Sequence, residues 1–264
     1  MTSPFDAPAP ASDSPSGAVP ASGAVPDPEA VPDPEDRDAR PQYVLPLVVR
    51  LERATPPGRT DALETSARAV LTLLADPRVT DADGEWAERV AAWEDARIRK
   101  VVRRARGGEW RRASELPGIT VDGREAEVRV FPPVPLDGWP KELAKLQVSG
   151  TDLEDTAEPG APEPGVPVLW LNPELEMTAG KTMAQTGHAA QLAWWRLDEA
   201  QRKEWAEAGF ALAVRTATPQ LWEELVASGL PVVRDAGFTE IAPGPTVAVE
   251  GGERYCPLPR LRHP

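Results

Sequence analysis

Two stretches of this chain are too poor in large apolar side chains to fold unaided, and they fix what the remainder can become. Residues 1–40 are mostly Pro, Ala, Ser, Asp and Glu, too little apolar surface to offset an ordering entropy of roughly 1 to 2 kcal/mol per residue. They are expected as a disordered acidic tail. Thr151 to Gly165, with Pro159, Pro162 and Pro164, has the same character and reads as an acidic linker between domains. The linker separates two blocks, 41–150 and 166–250, that each read as strand, helix, helix, strand, turn and strand, and 251–264 is left as a C-terminal tail.

The second block is the clearer one. Val168-Leu169-Trp170-Leu171 is a short apolar run bounded by Pro167 and Pro173, as a buried strand requires. A small-residue helix follows from about Ala179, then a polar helix over 199–208, a strand over 211–215 and a helix over 219–227 with Pro219 at its start. Gly229-Leu230-Pro231 stops that helix before Val232-Val233, and Thr246 to Val249 closes the sheet. Alternation of strands and helices predicts an α/β architecture with about four strands in the block.

The first block can be laid over the second. Leu47 to Arg50 falls on the first strand, Gly58-Arg59-Thr60-Asp61-Ala62-Leu63 on Gly180 to Gln185, Glu109-Trp110 on Leu221-Trp222, and Glu115 to Gly118 on Gly229 to Val232. The overlay predicts an internal duplication: two similar small α/β units, each a mixed sheet of about four strands flanked by helices, arranged as a pseudo-dimer. It also sets Arg59 over Lys181, Leu63 over Gln185, and Val121 and Glu125 roughly over Asp235 and Thr239. Two unrelated small α/β units would align as loosely.

Composition narrows the chemistry. The formal charge of −13 is concentrated in the two unfoldable stretches: residues 1–40 hold eight acids against Arg37 and Arg40, and 151–165 hold five acids and no base, leaving about −2 for the rest. A nucleic-acid partner is therefore not excluded by the total. Cys256 is the single cysteine, and with only His188 and His263 beside it no structural zinc set or internal disulfide is available. No apolar run approaches the ~18 residues of a spanning helix, and Met-Thr-Ser-Pro-Phe-Asp lacks the features of a secretory signal. A cytoplasmic protein without membrane contact is expected.

The candidate site lies in two segments, Gly180-Lys181-Thr182-Met183-Ala184-Gln185-Thr186-Gly187-His188-Ala189-Ala190 and Asp235-Ala236-Gly237-Phe238-Thr239-Glu240-Ile241-Ala242-Pro243-Gly244. On a helix, Lys181, Gln185 and His188 fall at i, i+4 and i+7 and share a face, with Lys181 on the first turn. Gly180 lets a ligand approach the free amides there, where the helix dipole favours an anion or a developing oxyanion. His188 is expected to support the site rather than act as its base. Read singly, the first segment also fits a surface helix opening on a solvated lysine, and the second fits a turn in which Asp235 bonds nearby amides.

Taken together, Gly-Lys-x-x-Ala-Gln-x-x-His-Ala-Ala followed by Asp-Ala-Gly-x-Thr-x-Ile-Ala-Pro-Gly resembles the archaeal and eukaryotic type of peptidyl-tRNA hydrolase, over roughly residues 166–250. The resemblance implies a small α/β fold with a mixed four-stranded sheet, commonly dimeric, that cleaves the ester joining peptide to tRNA without metal or other cofactor. It implies catalytic positions at Lys181, Gln185, Asp235 and Thr239. The chain departs from the family pattern at Thr186-Gly187, where a Cys-Ser pair is usual, and in 251–264, where an apolar and basic helix is usual. The alternative is a catalytically silent RNA- or protein-binding module on the same fold.

Peptidyl-tRNA as the partner asks for phosphate-neutralising side chains. The densest supply runs from Arg97 to Arg112 in the first block, with Arg99, Lys100, Arg103, Arg104 and Arg106 the expected RNA contacts. The same cations also fit a solvated face paired with Glu88, Glu94 and Asp95. A tandem form would place one active and one degenerate repeat in a single chain, which is then expected to be monomeric.

Overall fold

The computed structural model describes residues 41–237, 241–258 and 260–261. The expected N-terminal tail therefore lies outside the described residues. The first half runs β1 (Tyr43–Arg50), α1 (Arg59–Leu74), α2 (Pro77–Thr80), α3 (Ala87–Asp95), β2 (Lys100–Ala105), α4 (Gly107–Ser114), β3 (Ile119–Asp122), β4 (Glu127–Val130), β5 (Val134–Pro135) and α5 (Lys141–Ala144). The second runs β6 (Val168–Leu171), α6 (Ala179–Trp195), α7 (Glu199–Glu207), β7 (Ala213–Thr216), α8 (Pro219–Ala227), β8 (Val232–Asp235) and β9 (Gly244–Glu250).

The two sheets share one topology. The first has strand order β2-β1-β4-β3, with β5 added to β1, and the second has β7-β6-β9-β8. In each, the first two strands are parallel and the other ladders antiparallel. The α/β class, the mixed four-stranded sheets and the similarity of the two units are thus as the sequence predicts. Because β9 opposes both β6 and β8, the strands β6, β7 and β8 run the same way. Their carboxyl ends, Leu171, Thr216 and Asp235, lie along one edge of the sheet, where open α/β sheets bind ligands.

Helix α6 is an unusual sequence for a 17-residue helix, since Gly180 and Gly187 each cost about 1 kcal/mol relative to Ala. It is started by Thr178, whose hydroxyl accepts from the Lys181 amide. Its small residues are accounted for by α1, which packs directly on it. A Cβ at Gly187 would come within 3.0 Å of Val70 Cγ2, so the glycine permits the close approach. α1 has no side-chain cap of its own. Instead the segment expected as a linker supplies one: the Asp155 carboxylate accepts from the Thr60 amide at 2.9 Å and its hydroxyl at 2.7 Å. Thr151 and Leu153 of that segment are buried, so it is a strap laid against the fold, without helix or strand.

The α1–α6 contact has two-fold character. Ser66 Oγ donates to the Met183 carbonyl at 3.2 Å, and Thr186 Oγ1 donates to the Leu63 carbonyl at 3.3 Å. Counted from the helix starts, Ser66 and Thr186 hold the same position, as do Leu63 and Met183. Such reciprocity is the signature of an isologous interface. The departures from the family pattern at Thr186 and Gly187 therefore sit in the seam between halves.

This register corrects the sequence overlay by two positions: Asp61, not Arg59, is the counterpart of Lys181, and Thr65, not Leu63, that of Gln185. The ladders give the third correspondence. Val121 matches Val233, since each pairs with the strand residue (Val128, Val247) that also pairs with the last laddered residue of the first strand (Val49, Leu171). Two residues on, Gly123 stands where the second half has Asp235.

The core is continuous across the two helices and includes Leu47, Leu71, Trp86 and Trp93 from one half with Leu169, Met183, Trp205 and Val247 from the other. In the second half, Trp194 and Trp205 meet Phe210 edge-on, with centroids 6.0 and 5.8 Å away, a geometry that aromatic quadrupoles favour. Phe210 follows Gly209, both at positive φ, and this turn delays β7 to Ala213.

Candidate active site

Three of the four expected catalytic residues meet at the carboxyl edge of the second sheet. The Lys181 ammonium lies 2.5 Å from Asp235 Oδ2, and Gln185 Nε2 donates to the same oxygen at 2.7 Å. Asp235 Oδ1 accepts from the Gly237 amide at 2.8 Å. The helical and turn readings of the two segments thus hold together: the carboxylate binds its own turn with one oxygen and the first turns of α6 with the other. Thr239 lies outside the described residues.

A residue that sequence reasoning missed completes the cluster. The Thr246 hydroxyl is fully buried and donates to Gln185 Oε1 at 2.8 Å, which turns the amide nitrogen toward Asp235. Thr246 is the unpaired residue of a β-bulge, because Arg234 pairs with Pro245 while Val233 pairs with Val247. Bulges re-aim side chains beside sites. The sequence shows there only a hydroxyl ahead of the apolar Val247-Ala248-Val249, behind Gly244-Pro245, and nothing in that pattern marks the bulge.

The cluster is nearly closed to solvent, with side-chain exposures of 15% for Lys181 and 10% for Asp235. Burial alone would raise the Asp235 carboxyl. The hydrogen bond from Lys181, with those from Gly237 and Gln185 and the Lys181 charge, outweighs it and holds the group below its ordinary value. It is therefore a carboxylate at neutral pH. About four lone-pair sites are present on a carboxylate, and these three donors leave room for one further hydrogen bond.

Gly180 is buried at the start of α6, facing Thr151. His188 does not join Asp235; its Nδ1 lies 3.2 Å from the Lys100 ammonium. Burial, then the Lys100 and Lys181 charges, pushes the imidazole well below its ordinary value, so His188 is neutral. Lys100 is also buried, donating to Gln191 Oε1 at 2.5 Å and lying over the Trp93 ring. Its side chain joins the two halves, which is not the exposed position an RNA contact needs. Arg99 bonds Gln42, Arg103 bonds the Leu146 carbonyl and stacks on Trp139, and Arg104 bonds Ser149 and Gln147. Arg106 is half-exposed, and Arg111 and Arg112 are exposed.

The equivalent place in the first half is built in reverse. Asp61, on the helix, accepts from the amides of Arg124, Glu125 and Ala126 at 3.0, 2.7 and 2.8 Å. A Cβ at Gly123 would collide with the Asp61 carboxylate and the Thr65 hydroxyl. The carboxylate comes from the helix and fills its own turn, and no lysine or glutamine stands at the positions matching Lys181 and Gln185.

Beside the second-half cluster lies an open cleft of about 510 Å³ lined by Leu171, Asn172, Leu175, Met177, Thr178 and Thr216, with Arg59 from the first half. Thr178 ties it to the cluster through the Lys181 amide, 3.3 Å away. Among the described residues no group of three or more His, Cys, Asp or Glu is arranged to hold a metal, and no helix is long and apolar enough to cross a membrane.

The sequence model of one family, described as peptidyl-tRNA hydrolase PTH2, matches residues 166–252, which spans β6 to β9 and supports a domain of that type in the second half. No curated protein matches the chain.

Proposed function

We propose that the chain hydrolyses the ester between the peptide and the 3′-terminal ribose of peptidyl-tRNA, recycling tRNA in the cytoplasm, with residues 166–250 as the catalytic domain. The observation that carries this reading is the convergence of Lys181 and Gln185 on one oxygen of Asp235, inside the region that matches a peptidyl-tRNA hydrolase family. In this mechanism Asp235 accepts a proton as water attacks the ester carbonyl carbon. Gln185, held by Thr246, positions that water or the carbonyl. The tetrahedral oxyanion develops beside Lys181. Its collapse breaks the bond to the ribose oxygen, which takes the proton back from Asp235. An ester needs no strongly activated nucleophile, so direct water attack suffices. Thr239 is proposed to orient Asp235.

The same reading makes residues 41–150 a degenerate hydrolase-like repeat joined through 151–165, so that one chain stands in for a dimer and acts as a monomer. Shared topology and the reciprocal Ser66 and Thr186 bonds support it. RNA phosphates are assigned to Arg106, Arg111 and Arg112 in place of the inward-facing Lys100.

The test is incubation of purified protein with an N-blocked aminoacyl-tRNA and with the free aminoacyl-tRNA, following ester release. Cleavage of the blocked form is expected, and wild-type rates in both Lys181→Ala and Asp235→Ala would reject the site. Failure to cleave either substrate would leave a binding module.

A further inference from the structure

The cleft beside the cluster is not made by the catalytic half alone. Its walls from that half combine an apolar side, Leu171, Leu175 and Met177 with Pro173, with the polar Asn172, Glu176, Thr178 and Thr216, and the cation on its rim is Arg59, the first residue of the other half's α1. Arg59 is half-buried and reaches across the seam, with Nη2 donating to Thr182 Oγ1 at 3.3 Å, one residue along from Lys181. Among the described residues it forms no salt bridge. Asp155, whose charge acts on it, takes two hydrogen bonds from Thr60. A guanidinium carries five N–H donors, and the Thr182 hydroxyl engages one. Most of a forked, permanently charged donor set is therefore offered beside a cleft of a volume usual for small-molecule sites.

A slot with an apolar side and a guanidinium at its rim matches a nucleotide, whose base packs on the aliphatic side while its phosphate takes the fork. Glu176, exposed on the same wall, repels a phosphate and so directs it to the Arg59 side. We infer that Arg59 of the non-catalytic half binds the last internucleotide phosphate of the tRNA 3′ end, with the terminal nucleotide in the cleft. This rests on the hydrolase reading. The two halves then form one composite site, and the first half contributes to substrate affinity although its own cluster is closed by Asp61.

The experiment measures binding of the trinucleotide CCA and of adenosine, which lacks the phosphate, to the full chain and to Arg59→Ala, and adds kinetics with N-acetyl-aminoacyl-tRNA. A charge-assisted contact of this kind corresponds to a roughly tenfold or greater loss of CCA affinity. Adenosine affinity is expected to be equal in the two proteins. With tRNA, KM should rise by a similar factor while kcat holds, and the salt dependence should flatten by about 0.7 to 0.9 for the one phosphate left without its cation. Arg59→Lys should recover part of the affinity. Equal CCA binding by wild type and Arg59→Ala overturns the inference, as does an equal loss toward adenosine, which would make Arg59 a strut between halves. Arg59-dependent CCA binding without ester cleavage would uphold the composite site and reject the hydrolase reading instead.

Discussion

Replacing Asp235 by Asn tests stability and chemistry at one atom. The wild-type Oδ2 accepts from Lys181 at 2.5 Å and from Gln185 at 2.7 Å, and Oδ1 accepts from the Gly237 amide. Whichever way the Asn amide turns, its NH2 faces a donor. Two hydrogen bonds to a charged group, each worth about 1.5 to 3 kcal/mol, are weakened together. Breaking a buried pair usually costs about 3 to 5 kcal/mol. Lys181 keeps 15% exposure and a flexible stem, so part of that is recovered by turning toward water, and about 2 to 3 kcal/mol of destabilisation is expected. Urea unfolding should show it as a lower midpoint at unchanged slope. Loss of the base should lower kcat by about 10² to 10⁴, read as ester release from N-acetyl-aminoacyl-tRNA. Turnover within a factor of about three of wild type would refute the assignment of Asp235 as base, and an unmoved midpoint would refute the argument from its hydrogen bonds.

The wild-type kcat/KM should fall in acid with a midpoint below the ordinary carboxyl range, since the Asp235 value is lowered in the free protein, and show no inflection from the neutral His188; a pH profile of kcat/KM checks both. Asp61→Ala should destabilise by about 2 to 4 kcal/mol at neutral pH by stranding three amides. Although burial alone would raise Asp61, its amide bonds lower it. Its contribution is present above the unfolded carboxyl value and lost as pH falls through the folded one, so acid titration of stability should be less steep in the variant. Gly187→Ala should cost about 0 to 2 kcal/mol net, the crowding of Val70 and Lys100 being partly offset by the ~1 kcal/mol that Ala gains over Gly in a helix, and Val70→Ala should relieve the crowding in a double-mutant cycle. Neutralising Arg106, Arg111 and Arg112 together should flatten the salt dependence of tRNA binding by about 0.9 for each phosphate no longer neutralised. An unchanged slope assigns those arginines to a solvated face.

Strand and helix signals along the second half were local, and they read cleanly. Pro167 and Pro173 bracket β6, and Pro219 opens α8. The cluster was legible for the same reason, as Lys181 and Gln185 share a helix face and Asp235 ends a strand. What escaped depended on tertiary register. The overlay matched Arg59 to Lys181 by charge, whereas the helices align by burial and their preceding loops differ in length. Lys100 belongs to a charge run in the sequence, although strand alternation sets it on the buried face with Val102. Thr246 owes its role to a bulge, which no local pattern announces.

The reciprocal bonds of Ser66 and Thr186 describe a symmetry that the rest of the seam does not obey. In a pair of identical chains, any change at an interface appears twice and must suit both sides. Joined in one chain, the two sides are free to change separately. Gly187 stands opposite Val70, while their counterparts are Ala67 and Ala190, so the bulk at this contact is unequally shared between the two helices. A fragment cut to the region matching the hydrolase family would face a copy of itself with Gly187 against Ala190 on both sides, short of the volume that Val70 supplies. The second half is thus shaped to the first, and a copy of itself would not fill the same seam.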